Sequence, residues 1–370
     1  MPERRGVGFG RRDGASSSGG SGPEGDAAPD EAPWPAGAVK LDEDLAASLL
    51  PERPVRGHKG AFGKLLVVAG SLDYAGAALL VCRAAGRAGA GLVTLAVLES
   101  LQPLFAAKVI EATTMALPED DVEELDPEPA LARILDHEHD ALVVGPGLRP
   151  GLATAELVRQ LIGTSGGDAS PILLDAEALR SLATMDAWWE GERRPAVLTP
   201  HVGEFERLRA GSGRDSASDG DLTADDDARV AAGKDAAARW GQVVVLKGAR
   251  TVIAAPDGSV AVAPFENPGL ATGGTGDVLA GAIGALLAQG LEPFAAARLG
   301  VYLHGSAGDA ARDRLGDAGI LASDLPDALP MARKRLAMLN ERRRGNRRLG
   351  FGARESAPRA EPGPDATPPA

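Results

Sequence analysis

The sequence predicts an α/β fold built around a buried, mainly parallel β-sheet. Short apolar runs rich in β-branched residues alternate with longer Ala-rich runs along the middle of the chain, and this alternation is typical of repeated βαβ units. A glycine-dense turn late in the chain leads directly into one of the Ala-rich runs. With 370 residues, 44% of them hydrophobic and 25% charged, the chain is long enough for one large domain with tails.

The predicted strands are short and almost wholly apolar, as expected where helices cover both faces of a sheet. In chain order they are 64–69, 92–98, 141–144, 171–174, 196–199 and 242–247. Two further runs, 251–255 and 260–263, are separated by Asp257-Gly258. They predict a hairpin at the edge of the sheet.

The predicted helices are the longer Ala-rich segments between these strands. They are 75–88, 152–162, 176–184, 224–240, 276–289 and 293–315. The segment 211–227 is polar and acidic but lacks the ligand spacing of a calcium loop, so we expect a solvated loop there.

Both ends of the chain are expected to be disordered tails. Residues 1–40 are dominated by Gly, Ser, Pro, Asp and Arg, and residues 339–370 combine an arginine run with an Ala- and Pro-rich end. Neither segment can bury much apolar surface. This leaves 41–338 as the single predicted domain.

The composition restricts the classes of ligand and the cellular location. A formal net charge of -13 argues against nucleic acid, whose affinity depends on Lys and Arg neutralising phosphates. No apolar stretch approaches the ~20 residues of a membrane span, and the N-terminus lacks the apolar segment of a secretory signal. The only cysteine, Cys82, cannot form an internal disulfide, which favours a reducing compartment. We therefore expect a cytoplasmic protein with no membrane partner.

The glycine-dense turn ends in Gly274-Thr275-Gly276-Asp277, at the start of the predicted helix 276–289. Free backbone N–H groups and the positive end of the helix dipole hold phosphate oxygens at such a junction. Glycines allow positive φ angles and a close backbone approach to the anion. The turn therefore predicts a phosphate site with Asp277 beside the phosphoryl group. The helix start should also keep Asp277 ionised at neutral pH.

Two other phosphate motifs are excluded. A P-loop, GxxxxGK[ST], would have to end at Gly63-Lys64, but His58 occupies the first glycine position and Leu65 the hydroxyl position. A dinucleotide-binding fingerprint follows the first strand of its fold, whereas this cluster comes late in the chain.

Polar or small residues follow several of the predicted strands, and ligands collect at the carboxyl ends of parallel strands. Gly147 follows the third strand and His201 the fifth, while Lys247 ends the sixth. Asp175 follows the fourth strand, where it either joins the rim of a site or caps the next helix. Glu204 can hold a Mg²⁺-bound water near the phosphates, because Mg²⁺ prefers oxygen ligands and usually keeps several waters.

At these residues the chain resembles the ADP-dependent NAD(P)H-hydrate dehydratase family. This family is a branch of the ribokinase-like superfamily, whose fold is a three-layer α/β/α sandwich. The resemblance covers roughly 42–338 and is most specific in the segments 57–64, 199–205 and 267–281. Related kinases typically carry Thr-Pro-Asn-x-x-Glu where this chain reads Thr-Pro-His-Val-Gly-Glu, and His201 at the asparagine position favours the dehydratase.

The resemblance implies a repair reaction that returns hydrated NADH or NADPH to the reduced cofactor while ADP becomes AMP and phosphate. It implies Asp277 as the catalytic base and Mg²⁺ as a cofactor. The residues implied to contact the adenine nucleotide are Lys247, Gly248, Ala249, Arg250, Thr251, Gly274, Thr275 and Gly276. Those implied to contact the hydrated dinucleotide are Ala77, Gly147, His201 and Asp277.

The resemblance also implies partners and shows two departures. It implies a homotetramer and, because residues 1–40 cannot supply the epimerase domain fused to many bacterial relatives, a separate NAD(P)H-hydrate epimerase. Arg149 replaces the last glycine of the family's Gly-Pro-Gly-x-Gly segment, which affects a substrate contact. Val202 replaces a usual proline, which costs rigidity more than chemistry.

Two other functions remain open on the sequence alone. An ATP-dependent small-molecule kinase of the same fold would release a stable phosphorylated product. A non-catalytic nucleotide-binding regulator is disfavoured because the glycine turn and Asp277 are intact. The sequence does not choose between ADP and ATP, or between NADH and NADPH.

Overall fold

A computed structural model describes residues 34–164, 166, 169–213 and 220–350, and the fold is that of the compact unit that begins at Pro35. The strands are β1 (Val39–Lys40), β2 (Lys64–Val68), β3 (Leu92–Leu98), β4 (Thr113–Leu117), β5 (Glu119–Asp121), β6 (Glu124–Leu125), β7 (Ala141–Val144), β8 (Ile172–Leu174), β9 (Ala196–Leu198), β10 (Val243–Leu246), β11 (Val252–Ala254) and β12 (Val260–Val262).

The helices of the same described ranges lie between and after these strands. They are α1 (Glu43–Ser48), α2 (Ala75–Ala88), α3 (Gln102–Ala106), α4 (Pro127–Asp136), α5 (Leu152–Gly163), α6 (Glu177–Ala183), α7 (Val202–Gly211), α8 (Asp226–Trp240), α9 (Thr275–Ala288), α10 (Pro293–Leu315) and α11 (Leu329–Gly350).

Ten of the described strands form one sheet in the order β1-β12-β11-β10-β9-β8-β7-β2-β3-β4, and β5 and β6 form a separate hairpin. All pairings from β4 to β10 are parallel. The pairings β10–β11 and β11–β12 are antiparallel. This topology confirms the predicted α/β fold with a mainly parallel sheet.

Helices cover both faces of the sheet, which is why the strands β7 to β12 are apolar and buried at every position. Along β2, Leu65 and Val67 face a cluster that includes α2, α9 and α10, while Leu66 and Val68 are equally buried on the other face. On that other face α8 packs against β10 and β11. The carboxyl ends of the parallel strands therefore meet at one edge, between the two helical layers.

The N-terminal boundary of the domain differs from the prediction. Val39 and Lys40 form β1, which pairs with β12 and lies outside the β11–β12 hairpin. The hairpin is therefore one strand in from the edge, and the predicted tail 1–40 ends too late. Val39 is 59% exposed, so no apolar pattern marks the strand, and its pairing with β12 became visible only in the structure. Residues 1–33 lie outside the described residues.

The C-terminal boundary was also predicted wrongly, because α11 continues past residue 339. Asn340 Nδ2 donates to the Ala47 carbonyl oxygen at 2.6 Å, and Arg344 pairs with Glu52 at 2.6 Å. The polar and charged composition of this segment predicted a tail. Its contacts with α1 and the residues after α1 show that it belongs to the folded domain instead. Residues 351–370 lie outside the described residues.

Within the acidic segment 211–227, Gly211 ends α7, which was not predicted, and α8 begins at Asp226 with Asp225 as its cap. Residues 214–219 of that segment lie outside the described residues. None of the helices in the described ranges is long and apolar enough to cross a bilayer. Cys82 is buried, as its apolar surroundings predict, and burial raises the pKa of its thiol to about 12.

Candidate active site

The start of α9 is shaped by glycine, as predicted. Gly274 lies at the cap position with φ +92°, and a Cβ there would come within 2.8 Å of Leu80 and 3.0 Å of Ala322. The Thr275 hydroxyl donates to the carbonyl oxygens of Leu270 and Thr272 at 2.7 and 2.9 Å, which closes the turn. The backbone is therefore held in one conformation with the N-terminus of a 14-residue helix open toward the edge of the sheet.

Lys247 and two carboxylates meet this helix start at the ends of their strands. Lys247 Nζ donates to Asp175 Oδ1 at 2.8 Å and lies 3.7 Å from Glu204 Oε2. A Cβ on Gly276 would lie 3.5 Å from Lys247 Nζ and 3.9 Å from Asp175 Oδ2. Lys247 is largely buried, and although burial alone would lower its pKa, Asp175, Glu204 and Asp277 together raise it. Lys247 therefore stays cationic beside the turn.

Asp277 lies in the first turn of α9, where the sequence placed it, but its protonation differs from the prediction. Burial raises the pKa of Asp277 from 3.8 to about 7; repulsion from Asp175 adds to this rise, and Lys247 opposes it. The expectation that the helix start keeps this carboxyl ionised is therefore wrong. Loss of water and the neighbouring carboxylate outweigh the helix dipole, because an ion transferred from water loses solvation that a half-charge at a helix end does not replace.

His201 and Glu204 form the N-terminal cap of α7. His201 Nδ1 accepts from the Gly203 N–H at 3.1 Å, and Glu204 Oε2 accepts from the His201 N–H at 2.9 Å. The side chain of His201 is 57% exposed, whereas that of Glu204 is only 9% exposed. The cap therefore leaves the imidazole at the surface of the site and turns the carboxylate inward toward Lys247.

A cavity of about 520 Å³ opens beside the glycine turn. Six of the predicted nucleotide-binding residues line it: Lys247, Gly248, Ala249, Thr251, Thr275 and Gly276. Its far wall is apolar, with Phe265 and Val301 among its residues. A larger groove of about 870 Å³ runs along α11 near Arg53 and Arg333, but those guanidinium groups donate to carbonyl oxygens at the end of α2.

Gly274 and Arg250, two other predicted nucleotide contacts, do not line this cavity. The Arg250 side chain pairs with Asp226 at 3.3 Å and with Glu266. The structure therefore directs this guanidinium to neighbouring carboxylates. We call the segment 247–251, which follows β10 and carries four of the cavity-lining residues, the nucleotide-side loop.

Ala77 and Gly147, predicted to contact the hydrated dinucleotide, lie next to each other after the strands β2 and β7. Gly147 has φ +66°, and a Cβ there would come within 2.6 Å of the Tyr74 carbonyl oxygen and 3.0 Å of Ala77 Cβ. Arg149 reaches over this region to Glu123, with 3.3 Å between Nη1 and Oε2. The candidate site therefore has two parts, the cavity beside β10 and the region of Ala77 and Gly147 at the ends of β2 and β7.

Two buried residues of the site were missed by sequence reasoning. His304, on α10, lies with Nε2 3.0 Å from the Thr275 carbonyl oxygen, and burial lowers its pKa to about 4. Arg229, on α8, lies beneath the loop that carries Lys247. Neither residue directly follows a strand, so a search for polar residues at strand ends, which identified Lys247, could not find them.

Comparison with known proteins decides the family. The family model for NAD(P)H-hydrate dehydratase matches residues 65–331. The chain belongs to the NAD(P)H-hydrate dehydratase family. The match includes the glycine turn, Lys247 and the region of Ala77 and Gly147, so the whole site described above lies within the family domain.

Relatives of this family match the chain over most of its length. The bifunctional NAD(P)H-hydrate repair enzyme Nnr of Moorella thermoacetica is 44% identical over 78% of this chain and 52% of its own. The ADP-dependent (S)-NAD(P)H-hydrate dehydratase of Bacillus subtilis is 34% identical over 79% of this chain and 97% of its own. The chain thus spans about half the length of bifunctional relatives and nearly all of a dehydratase.

A solved structure confirms the fold. The crystal structure of the ADP/ATP-dependent NAD(P)H-hydrate dehydratase from Bacillus subtilis, co-crystallized with ATP/Mg²⁺, is 33% identical, with a TM-score of 0.67. The alignment covers 81% of this chain and 99% of that one. The protein therefore has the predicted ribokinase-like fold.

Proposed function

We propose that this protein dehydrates (6S)-hydrated NADH or NADPH to the reduced cofactor, with ADP converted to AMP and phosphate. The observation that carries the proposal is the convergence of Lys247, Gly276 and Asp277. Lys247 and Gly276 line the 520 Å³ cavity, and Asp277, the next residue after Gly276, lies close enough to Lys247 for each charge to shift the pKa of the other. A phosphoryl donor in the cavity and an acceptor near Ala77 and Gly147 would meet at Asp277.

The ADP side of the reaction follows from the cavity. Its apolar wall suits an adenine ring, and its inner end carries Thr275, Gly276 and the cationic Lys247. Backbone N–H groups at the start of α9 and the ammonium group would hold the terminal phosphate, where they also offset charge that develops during transfer.

The acceptor side of the reaction uses Asp277. Its carboxylate takes the proton of the hydroxyl on the hydrated ring while that oxygen bonds to the β-phosphorus and the bond to the bridging oxygen of ADP breaks, releasing AMP. General base catalysis of this kind contributes ~10² to 10⁴ in rate. A pKa of about 7 makes Asp277 a stronger base than an ordinary carboxylate, and it is still ionised in about half of the molecules near pH 7.

The second step needs little from the protein. Hydroxide is a poor leaving group, whereas phosphate departs readily, so phosphorylation converts the hydrate into an unstable ester. The ring nitrogen donates its electron pair, the C–O bond to phosphate breaks, and loss of the neighbouring ring proton restores the reduced nicotinamide.

Mg²⁺ fits the site as an ion held mainly by ADP. Among the residues that the structure describes, no group of three or more His, Cys, Asp or Glu side chains is arranged to hold a metal. Mg²⁺ commonly relies on one carboxylate, several waters and substrate phosphates. Glu204 fits this role because its Oε2 caps α7 while Oε1, 3.6 Å from His201 Nε2, can also accept a hydrogen bond from a metal-bound water. The ion would neutralise phosphate charge.

We further propose a homotetramer in the cytoplasm, supplied with the (6S) hydrate by a separate NAD(P)H-hydrate epimerase. Large apolar side chains that self-association could cover are exposed, among them Ile110 at 90%, Val122 at 76% and Leu152 at 92%. Sedimentation equilibrium of the purified chain tests this: a monomer at all concentrations contradicts it.

One assay tests the reaction and separates it from the alternatives. Purified protein receives hydrated NADH with ADP, or hydrated NADPH with ADP, and reduced-nicotinamide absorbance is followed. Recovery of absorbance together with AMP and phosphate supports the dehydratase. A stable phosphorylated product without recovery indicates a small-molecule kinase, and nucleotide binding without any product indicates a regulator.

A further inference from the structure

Arg229 is a buried cation that contacts the nucleotide-side loop from behind. It lies on α8 and is 2% exposed. Its Nη2 donates to the Leu246 carbonyl oxygen at 3.1 Å, and its Nη1 donates to that of Ala249. The guanidinium thus satisfies two carbonyl groups on either side of Lys247 and Gly248, while Arg229 itself does not line the cavity.

The loop is shaped around this side chain. Gly248 has φ +157°, and a Cβ there would lie 2.7 Å from Arg229 Nη2 and 3.1 Å from Arg229 Cζ. Glycine at this position therefore lets the backbone approach the guanidinium closely. Arg229 and Gly248 are therefore complementary. The loop carbonyl groups accept hydrogen bonds from Arg229, and the absence of a side chain at Gly248 leaves room for the guanidinium.

A second arginine anchors the far end of the same loop. Asp226, the first residue of α8, lies 3.6 Å from Arg229 Nη1 and 3.3 Å from Arg250 Nη1. Arg250 also pairs with Glu266. One carboxylate thus links the guanidinium below the loop to the side chain at its end, so the loop is held at both places.

We propose that Arg229 is a positioning residue that fixes the nucleotide-side loop, so that ADP affinity depends on a side chain that ADP does not touch. This inference rests on the proposed binding of ADP in the cavity. Without the guanidinium, two carbonyl groups of a tight turn lose their donors in a water-poor interior, which is costly unless the loop rearranges. Lys247 and the Gly248 and Ala249 walls of the cavity would move with it.

The test compares two buried arginines. Arg229→Met and Arg194→Met each remove a guanidinium from a side chain that is 2% exposed. Arg194 precedes β9, at the opposite end of the sheet from the cavity. Isothermal titration of ADP and urea unfolding are measured on both full-length variants. We expect only Arg229→Met to bind ADP more weakly, by roughly tenfold or more, whereas Arg194→Met, which removes a guanidinium whose Nε and Nη1 have no hydrogen-bond partner among the described residues, should bind ADP like the wild type.

Further readouts separate positioning from general destabilisation. In turnover assays Arg229→Met should raise the KM for ADP and leave the KM for the hydrate unchanged. Millimolar guanidinium chloride should partly restore ADP binding to Arg229→Ala, whereas equal sodium chloride should not. If Arg229→Met does not fold, Arg229→Lys and Gly248→Ala test the same contact, because the first removes one of the two donors and the second displaces the guanidinium.

Wild-type ADP affinity in folded Arg229→Met, or an equal loss in Arg194→Met, overturns the inference. The proposed reaction fails separately: a wild type that binds ADP but never restores the reduced nicotinamide leaves the comparison of the two arginines valid. A wild type that binds no ADP overturns both.

Discussion

Asp277→Asn should make the protein more stable and nearly inactive. Asparagine has the shape of aspartate but cannot ionise or accept the hydroxyl proton. The structure raises the pKa of Asp277 from 3.8 to about 7, so the unfolded chain ionises this carboxyl at a lower pH than the folded one. Stability is therefore lost as pH rises from about 4 to about 7, because the unfolded state has already released the proton that the folded state still holds.

The magnitude follows from the two pKa values. Each pH unit between 3.8 and about 7 corresponds to about 1.4 kcal/mol, which gives about 4 kcal/mol above pH 7. Asp277 is only half-buried, so solvent screening makes this an upper limit. The advantage of Asp277→Asn in urea unfolding should thus grow between about pH 4 and pH 7 and level off above that.

Turnover of the same variant should fall by about 10² to 10⁴, with ADP affinity nearly unchanged. The wild-type rate should rise with pH through about 7, as Asp277 loses its proton. Turnover equal to wild type would refute the base assignment. If the difference in unfolding free energy between Asp277→Asn and the wild type did not change with pH, that result would refute the argument that burial and Asp175 raise this pKa.

Three further substitutions test the site around Asp277. Lys247→Met leaves the buried Asp175 carboxylate without its 2.8 Å partner; unfolding experiments should show a loss of about 3 to 5 kcal/mol, and calorimetry a loss of ADP affinity. Gly276→Ala places a Cβ 3.5 Å from Lys247 Nζ, which is an ordinary contact, so the melting temperature should not change while ADP titration shows weaker binding. Gly86→Ala, with open space at its Cβ, is the control and should bind ADP normally. Arg149→Gly restores the family's glycine. Because the Arg149 side chain is 59% exposed, its loss should change the free energy of unfolding by less than about 1 kcal/mol. Steady-state kinetics should show a changed KM for the hydrate and an unchanged KM for ADP.

The central strands could be predicted from the sequence because each is buried on both faces. A run such as Leu65 to Val68 is then apolar at every position, and its boundaries are visible without a partner. The small β1 strand and the part of α11 around Asn340 could not be predicted in this way. Both are polar or exposed, and they contact distant segments, β12 and α1.

Part of the candidate site could be proposed in the same way. Glycines with a carboxylate at a helix start, and polar residues directly after strands, can be found by position in the chain, and the structure brings Lys247, Gly276 and Asp277 close together. His304 lies in mid-helix, where nothing local distinguishes it from a surface histidine. Its role at the Thr275 carbonyl oxygen depends on how α10 packs against α9.

The sequence by itself determined the fold class, the order of the units and the place of the glycine turn, because these depend on local composition and on the spacing of apolar residues. Only the tertiary structure decided the protonation of Asp277 and the burial of Arg229. A pKa and a buried charge depend on which distant groups and how much water surround an atom, and those neighbours, Asp175 for one and the Lys247 loop for the other, come from elsewhere in the chain.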